Sequence, residues 1–187
     1  MRQISGKHSL HHGFCEQRVS KLKKTRSLVR WTALLIFSIA VLHSLNVRAE
    51  SLMGKVVAVT DGDTLTLLDS NMQTFKIRLA AIDAPEKDQA FGNRAKQALS
   101  AICFGKEAEA IIETIERYGR YVAEVYCEGI NANTTQLSEG MAWLYTQYAK
   151  KFPHYLVIEN AARLNRIGLW TDANPIPPWE LRRNKRQ

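Results

Sequence analysis

The apolar positions of this chain change period in a way that divides it into strands and helices. "GKVVAVT", residues 54–60, is an apolar run that stops at Asp61-Gly62-Asp63, a turn sequence. "TLTLLD" alternates as a second strand, "SNMQ" turns, and "TFKIRLAAI" makes a third that ends before Pro85, which has no N–H to donate to a ladder. The period then changes: Ala95, Ala98, Leu99 and Ile102 share one helical face, and Gly105 closes it. "EAEAIIETI" and "RYVAEVYC" read as two further strands joined through "ERYG". A short helix is expected over 134–139 and a longer one over 153–166, with Leu156, Ala161 and Leu164 as its apolar positions. Five strands, a helix inserted after the third, and C-terminal helices predict an α+β fold. Its centre is a five-stranded Greek-key barrel of OB type. "NPIPPWELRRNKRQ" reads as a proline-broken, basic, mobile tail. The organisation expected is a targeting segment over 1–49, one globular domain over 50–171, and the tail over 172–187.

Charge changes this picture less than its total implies. The chain carries a formal net charge of +8, but nine Lys/Arg against one acid, Glu16, lie in residues 1–49. The remainder holds 17 basic and 17 acidic residues, so polyanion binding there must come from local arrangement. Arg18, Lys21, Lys23, Lys24, Arg26 and Arg30 precede the fifteen-residue apolar run Trp31–Leu45, short for a membrane span and suited to a signal-peptide core. Val47 and Ala49 stand where a signal peptidase reads, so cleavage after Ala49 and export to the periplasm or medium are expected. The alternative is an uncleaved anchor through Trp31–Leu45, which alone would bring in the membrane. Cys15 falls in this segment. Cys103 and Cys127 remain, an even pair that in an exported protein allows a disulfide; two small buried apolar side chains are the other reading.

The chemistry gathers at the strand ends. Asp61 and Asp63 sit in the first turn, Arg78 in the third strand, Asp83 and Glu86 just after it, and Arg120 at the start of the last strand. If the strands pair in order, these ends converge in one cleft. Asp63 and Asp83 offer the hard oxygen ligands that suit a cation such as calcium. The planar forks of Arg78 and Arg120 match two phosphate oxygens, and Glu86 is left to take a proton from water. Ordinary turn formers and rim ion pairs are the competing explanation.

"VTDGDTLTL", "IRLAAIDAPE", "FGNRAKQAL", "ERYGRYVAEV" and "GLW" occur in this order from Gly54 to Trp170, and together they resemble a staphylococcal (micrococcal) nuclease domain. The resemblance implies an OB-type barrel with helices that hydrolyses DNA and RNA endonucleolytically with calcium, leaving 3′-phosphate ends. It assigns Asp63, Asp83 and the carbonyl of Ala84 to the metal, Glu86 to the attacking water, and Arg78 and Arg120 to the reacting phosphate. Tyr118 falls near the nucleotide in that family; packing at the barrel rim is its alternative. No stable protein partner is implied, and a monomer is expected. Three residues depart from the pattern: Ala84 replaces a threonine, Glu116 an aspartate, and Gln136 an apolar residue in the short helix, where a loss of packing is expected. A different functional class, a non-catalytic OB module that binds nucleic acid or protein, has no reason to retain the whole charged set.

Overall fold

The computed structural model describes residues 50–185. The expected leader, with Cys15 and the Trp31–Leu45 run, lies outside the described residues. Strands β1 (Ser51–Val59), β2 (Thr64–Leu68) and β3 (Thr74–Leu79) form the expected meander, and β5 (Glu107–Ile115) and β6 (Tyr121–Cys127) the second hairpin. β1 pairs with β5 through its first half and with β2 through its second, with a bulge between Val56 and Ala58. The bulge lets one strand bend from one partner to the other. Parallel pairing of Ile77, Arg78 and Leu79 with Tyr121, Val122 and Ala123 closes the sheet into a five-stranded barrel. Alternate residues Leu65, Leu67, Ile77, Leu79, Ala123 and Val125 fill it, all fully buried.

Helix α1 (Gly92–Cys103) packs Ala95, Leu99 and Ile102 on the barrel, the face its periodicity predicts. A buried disulfide joins its last residue, Cys103, to the end of β6 at Cys127, with Cα atoms 5.2 Å apart. Helix α2 (Ala132–Ser138) starts where the Asn131 side chain accepts the N–H of Thr134 at 3.0 Å, a regular N-cap. Helix α3 (Pro153–Leu164) differs from expectation. Leu156 and Leu164 are exposed, and its buried side is Tyr155, Glu159 and Ala162. Glu159 faces inward because its carboxylate accepts the backbone N–H of Leu144 at 3.0 Å. That bond satisfies a buried donor that no leucine could.

Two further departures concern the ends of the domain. The third strand does not run to Ile82. Its ladder stops at Leu79, and Ala81 takes a positive φ of 63°, a left-handed conformation uncommon outside glycine. The chain then enters β4 (Ile82–Asp83), which pairs with β8 (Trp143–Leu144), while β7 is the short Ile130–Asn131. The tail is not free either. Pro177 caps, and Pro178 opens, a fourth helix, α4 (Pro178–Asn184), with Glu180 in its first turn and Arg182 and Arg183 in its last. Those are regular helix-terminal preferences.

Candidate active site

Four local features bring the charged residues to one cleft. The Asp61–Asp63 turn is pressed against α1: a Cβ on Gly62 would lie 2.6 Å from that of Ala95 and 2.7 Å from that of Ala84, so only glycine fits. Gln136 fixes the same turn from the other side. It is fully buried and its amide donates to the carbonyls of Gly62 at 2.6 Å and Ala95 at 3.0 Å. The expected loss of packing at Gln136 is therefore replaced by two hydrogen bonds, although its Oε1 has no partner among the described residues. Buried Asn133 donates to the carbonyls of Ala80 and Ala123 and accepts the N–H of Val125. It thereby clamps β3 to β6 beside the Ala81 kink. That kink turns Asp83 and Ala84 back toward Asp63. Finally, a Cβ on Gly92 would fall 2.0 Å from the carbonyl oxygen of Glu86, so the start of α1 can lie directly against the Glu86 backbone.

The result is a cleft of about 460 Å³ whose wall includes Asp61, Asp63, Arg78, Asp83, Ala84, Glu86 and Arg120. At its floor Arg78 spans two buried carboxylates, donating to Asp63 Oδ1 at 3.1 Å and Asp83 Oδ1 at 2.9 Å. Asp63 also accepts the Thr64 hydroxyl at 3.0 Å and, on its other oxygen, the N–H of Ala84 at 2.9 Å. Burial pushes the Asp63 carboxyl up to about 7; the Arg78 guanidinium pulls the other way, and Asp61 and Asp83 add to the rise. Arg78 is itself raised, because the two carboxylates outweigh its burial.

The rim is arranged differently. Arg120 lines the cleft, but its fork holds Glu116 of its own turn, at 2.9 and 3.0 Å. The Glu116 departure is thus the Arg120 partner. Tyr118, at the tip of that turn, is 95% exposed and does not line the cleft. Sequence reasoning missed Tyr145, Gln147 and Tyr148, which also line the cleft, and missed Arg182. From α4, Arg182 donates to Glu86 Oε1 at 2.6 Å and to both oxygens of Asp83, at 3.3 and 2.5 Å. Its only sequence signal was a proline-started helical turn within the basic tail.

The donor set fits a hard cation in part. Asp63 and Asp83 are buried carboxylates on adjacent segments, and no histidine or cysteine lines the cleft. Among the described residues no three His, Cys, Asp or Glu side chains gather into a complete cage. Two carboxylates and a carbonyl suit calcium that keeps waters and accepts a substrate oxygen. The guanidinium of Arg182 already provides positive charge at Asp83.

Comparison with known proteins agrees with this geometry. Residues 76–172 match the staphylococcal nuclease homologue family. An uncharacterized endonuclease of Haemophilus influenzae is 43% identical over 132 residues, covering 71% of this chain and 74% of its own. A micrococcal nuclease of Shigella flexneri is 41% identical over 140 residues, covering 70% of this chain and 80% of its own. The staphylococcal-like nuclease CAN1 of Arabidopsis thaliana is 41% identical over 112 residues, 60% of this chain and 34% of that longer protein.

Proposed function

Because this chain belongs to the staphylococcal nuclease family, we propose that it is a calcium-dependent endonuclease that hydrolyses DNA and RNA and leaves 3′-phosphate ends. The observation that supports this reading best is the cleft itself: Asp63, Arg78, Asp83, Ala84, Glu86 and Arg120 line one cavity. Asp63, Asp83 and the carbonyl of Ala84 would hold calcium, which when bound polarises a phosphate oxygen and offsets the charge added at phosphorus.

The chain's own residues do the rest. Glu86 accepts a proton as water oxygen attacks phosphorus in line. The P–O5′ bond breaks, the 5′-oxygen leaves and takes up a proton, and the phosphate remains on the 3′ side. Arg78, held on Asp63 and Asp83, adds its fixed charge and its remaining N–H donors beneath the phosphate, and Arg120 directs its two-donor fork at it as its charge increases. Arg120 reaches it by exchanging Glu116 for phosphate, an exchange available to a pair whose side chains are about one-third exposed. Tyr118 would stack on a base of the bound strand outside the cleft, a reading its exposure supports.

The test is cleavage of single-stranded DNA by the purified protein with calcium and with excess chelator. Loss in chelator and 3′-phosphate on the products are expected; undiminished cleavage in chelator would reject calcium. Oligonucleotide binding without cleavage would return the chain to the non-catalytic class.

The same reading extends to location: the protein is exported and cleaved after Ala49. The buried Cys103–Cys127 disulfide supports an oxidising compartment. The site of the cut is also compatible with folding, since Glu50 already accepts the N–H of Ile112 and β1 starts at Ser51. Amino-terminal sequencing should read from Glu50; a start at Met1 would favour the anchored form.

A further inference from the structure

The tail is fastened to the site at four places. Trp179 packs edge-on against Tyr145, with ring centroids 5.1 Å apart, and is partly buried beside Trp143 and Trp170. The Gln89 amide donates to the carbonyl of Ile176, and Lys185 pairs with Asp88 at 2.5 Å. Between these anchors Arg182 holds Asp83 and Glu86. The partners at residues 83–89 are the segment that carries the proposed metal ligand and base.

We propose that α4 is a strap whose Arg182 competes internally with the divalent cation, and so sets the affinity of the site for metal. This rests on the calcium reading given above. Three observations carry it. Arg182 donates to both oxygens of Asp83, whose Oδ1 also accepts Arg78, so most of the lone pairs of that buried carboxylate are committed. The bond to Glu86 Oε1 occupies an oxygen that would otherwise orient water and take its proton. The strap is tethered by aromatic and polar contacts on both sides of Arg182, so the guanidinium acts at high effective concentration.

A dication entering between Asp63 and Asp83 would meet Arg78 and Arg182 together. Arg78 is anchored in β3, whereas Arg182 is the one on a short terminal helix. Arg182 therefore leaves, freeing Glu86 in the same movement, and a nucleic-acid phosphate is a natural new partner for it.

The test is calorimetric titration of calcium into the substrate-free protein, comparing wild type with Arg182→Met, which keeps the stem and removes the fork. A strap closed nine-tenths of the time reduces apparent affinity about tenfold, so Arg182→Met should bind calcium about tenfold more tightly. Arg182→Lys, which keeps stem and charge, should fall between the two and serves if the methionine variant does not fold. Equal or weaker binding by a folded variant would overturn the strap. Absence of calcium binding in wild type and variants alike would instead overturn the metal reading, and the competition with it.

Discussion

The floor and the rim of this cleft hold similar charges by opposite means. On the floor, Arg78 and Asp83 come from paired strands, Asp63 ends the turn that opens β2, and the three are interlocked by hydrogen bonds to one another and to backbone. On the rim, Arg120 and Arg182 stand on a turn and a terminal helix. Each grips a partly exposed carboxylate, Glu116 or Glu86. Floor groups cannot relax without disturbing the barrel, so their geometry is set before a ligand arrives, which is what electrostatic stabilisation requires. Arg120 can exchange its partner at little cost, because a partly exposed ion pair contributes only about 0–1 kcal/mol, whereas Arg182 must also release buried Asp83. Catalysis on this arrangement needs both: a fixed charge frame below and exchangeable guanidiniums above.

The sharpest way to break the comparison is to replace one arginine from each region with lysine. Arg78→Lys and Arg120→Lys should each reduce turnover about 10²–10³-fold, because an ammonium cannot present the planar pair of donors. Their stabilities should diverge. Arg78→Lys leaves two buried carboxylates imperfectly paired and should lower the melting temperature clearly, whereas Arg120→Lys should leave it near wild type. Turnover and melting measured on both variants decide the matter. Near-normal turnover in Arg120→Lys would remove the rim from the mechanism.

The same division explains what the sequence disclosed. Strand alternation and the Asp-Gly-Asp turn made the barrel and the floor legible, since those residues follow local rules of period and turn chemistry. The Ala81 kink was not legible. The apolar pattern runs unbroken through Ile82, and the break comes from pairing with β8 and from the Asn133 clamp, both distant in sequence. Glu159 was missed on α3 for a related reason: its partner, the N–H of Leu144, is invisible to helical periodicity. Gln136 looked like a defect because its acceptors, Gly62 and Ala95, lie 74 and 41 residues away. A basic tail ordinarily reads as solvated; the α4 helix, the Trp179 contact and the Arg182 and Lys185 ion pairs show otherwise.

Two stability measurements test how the floor is supported. Replacing both Cys103 and Cys127 with alanine opens a link spanning 24 residues and should cost about 3 kcal/mol in denaturant unfolding. The loss should fall on the barrel as a whole, with calcium affinity of the folded fraction little changed. Gln136→Leu should cost about 1–3 kcal/mol, since two buried carbonyls lose their donor. Because one of them belongs to Gly62, this variant should also weaken calcium binding while Arg120 and Glu116 are untouched. A leucine variant as stable as wild type, with unchanged calcium affinity, would show that α1 alone positions the turn.

A slope in stability against pH isolates the floor. Asp63 is raised from an ordinary 3.8 to about 7 by its burial, against the pull of Arg78. Between about pH 4 and pH 7 the folded protein therefore binds more protons than the unfolded chain. By linkage, stability in chelator should fall as pH rises through this window, at most about 1.4 kcal/mol per pH unit for one group. The tail anchor outside the cleft behaves oppositely. Asp88 is held below its ordinary value by Lys185, so its contribution is present above about pH 4 and is lost only below it, outside the window. Asp63→Asn removes the floor's titrating group while keeping one of its two accepting oxygens. Urea unfolding of the metal-free protein at pH 4.5, 5.5 and 6.5 should show the decline in wild type and a flatter profile in Asp63→Asn. An equal slope in both would mean that Arg78 compensates the buried carboxylate fully, leaving the floor no more strained electrostatically than the rim.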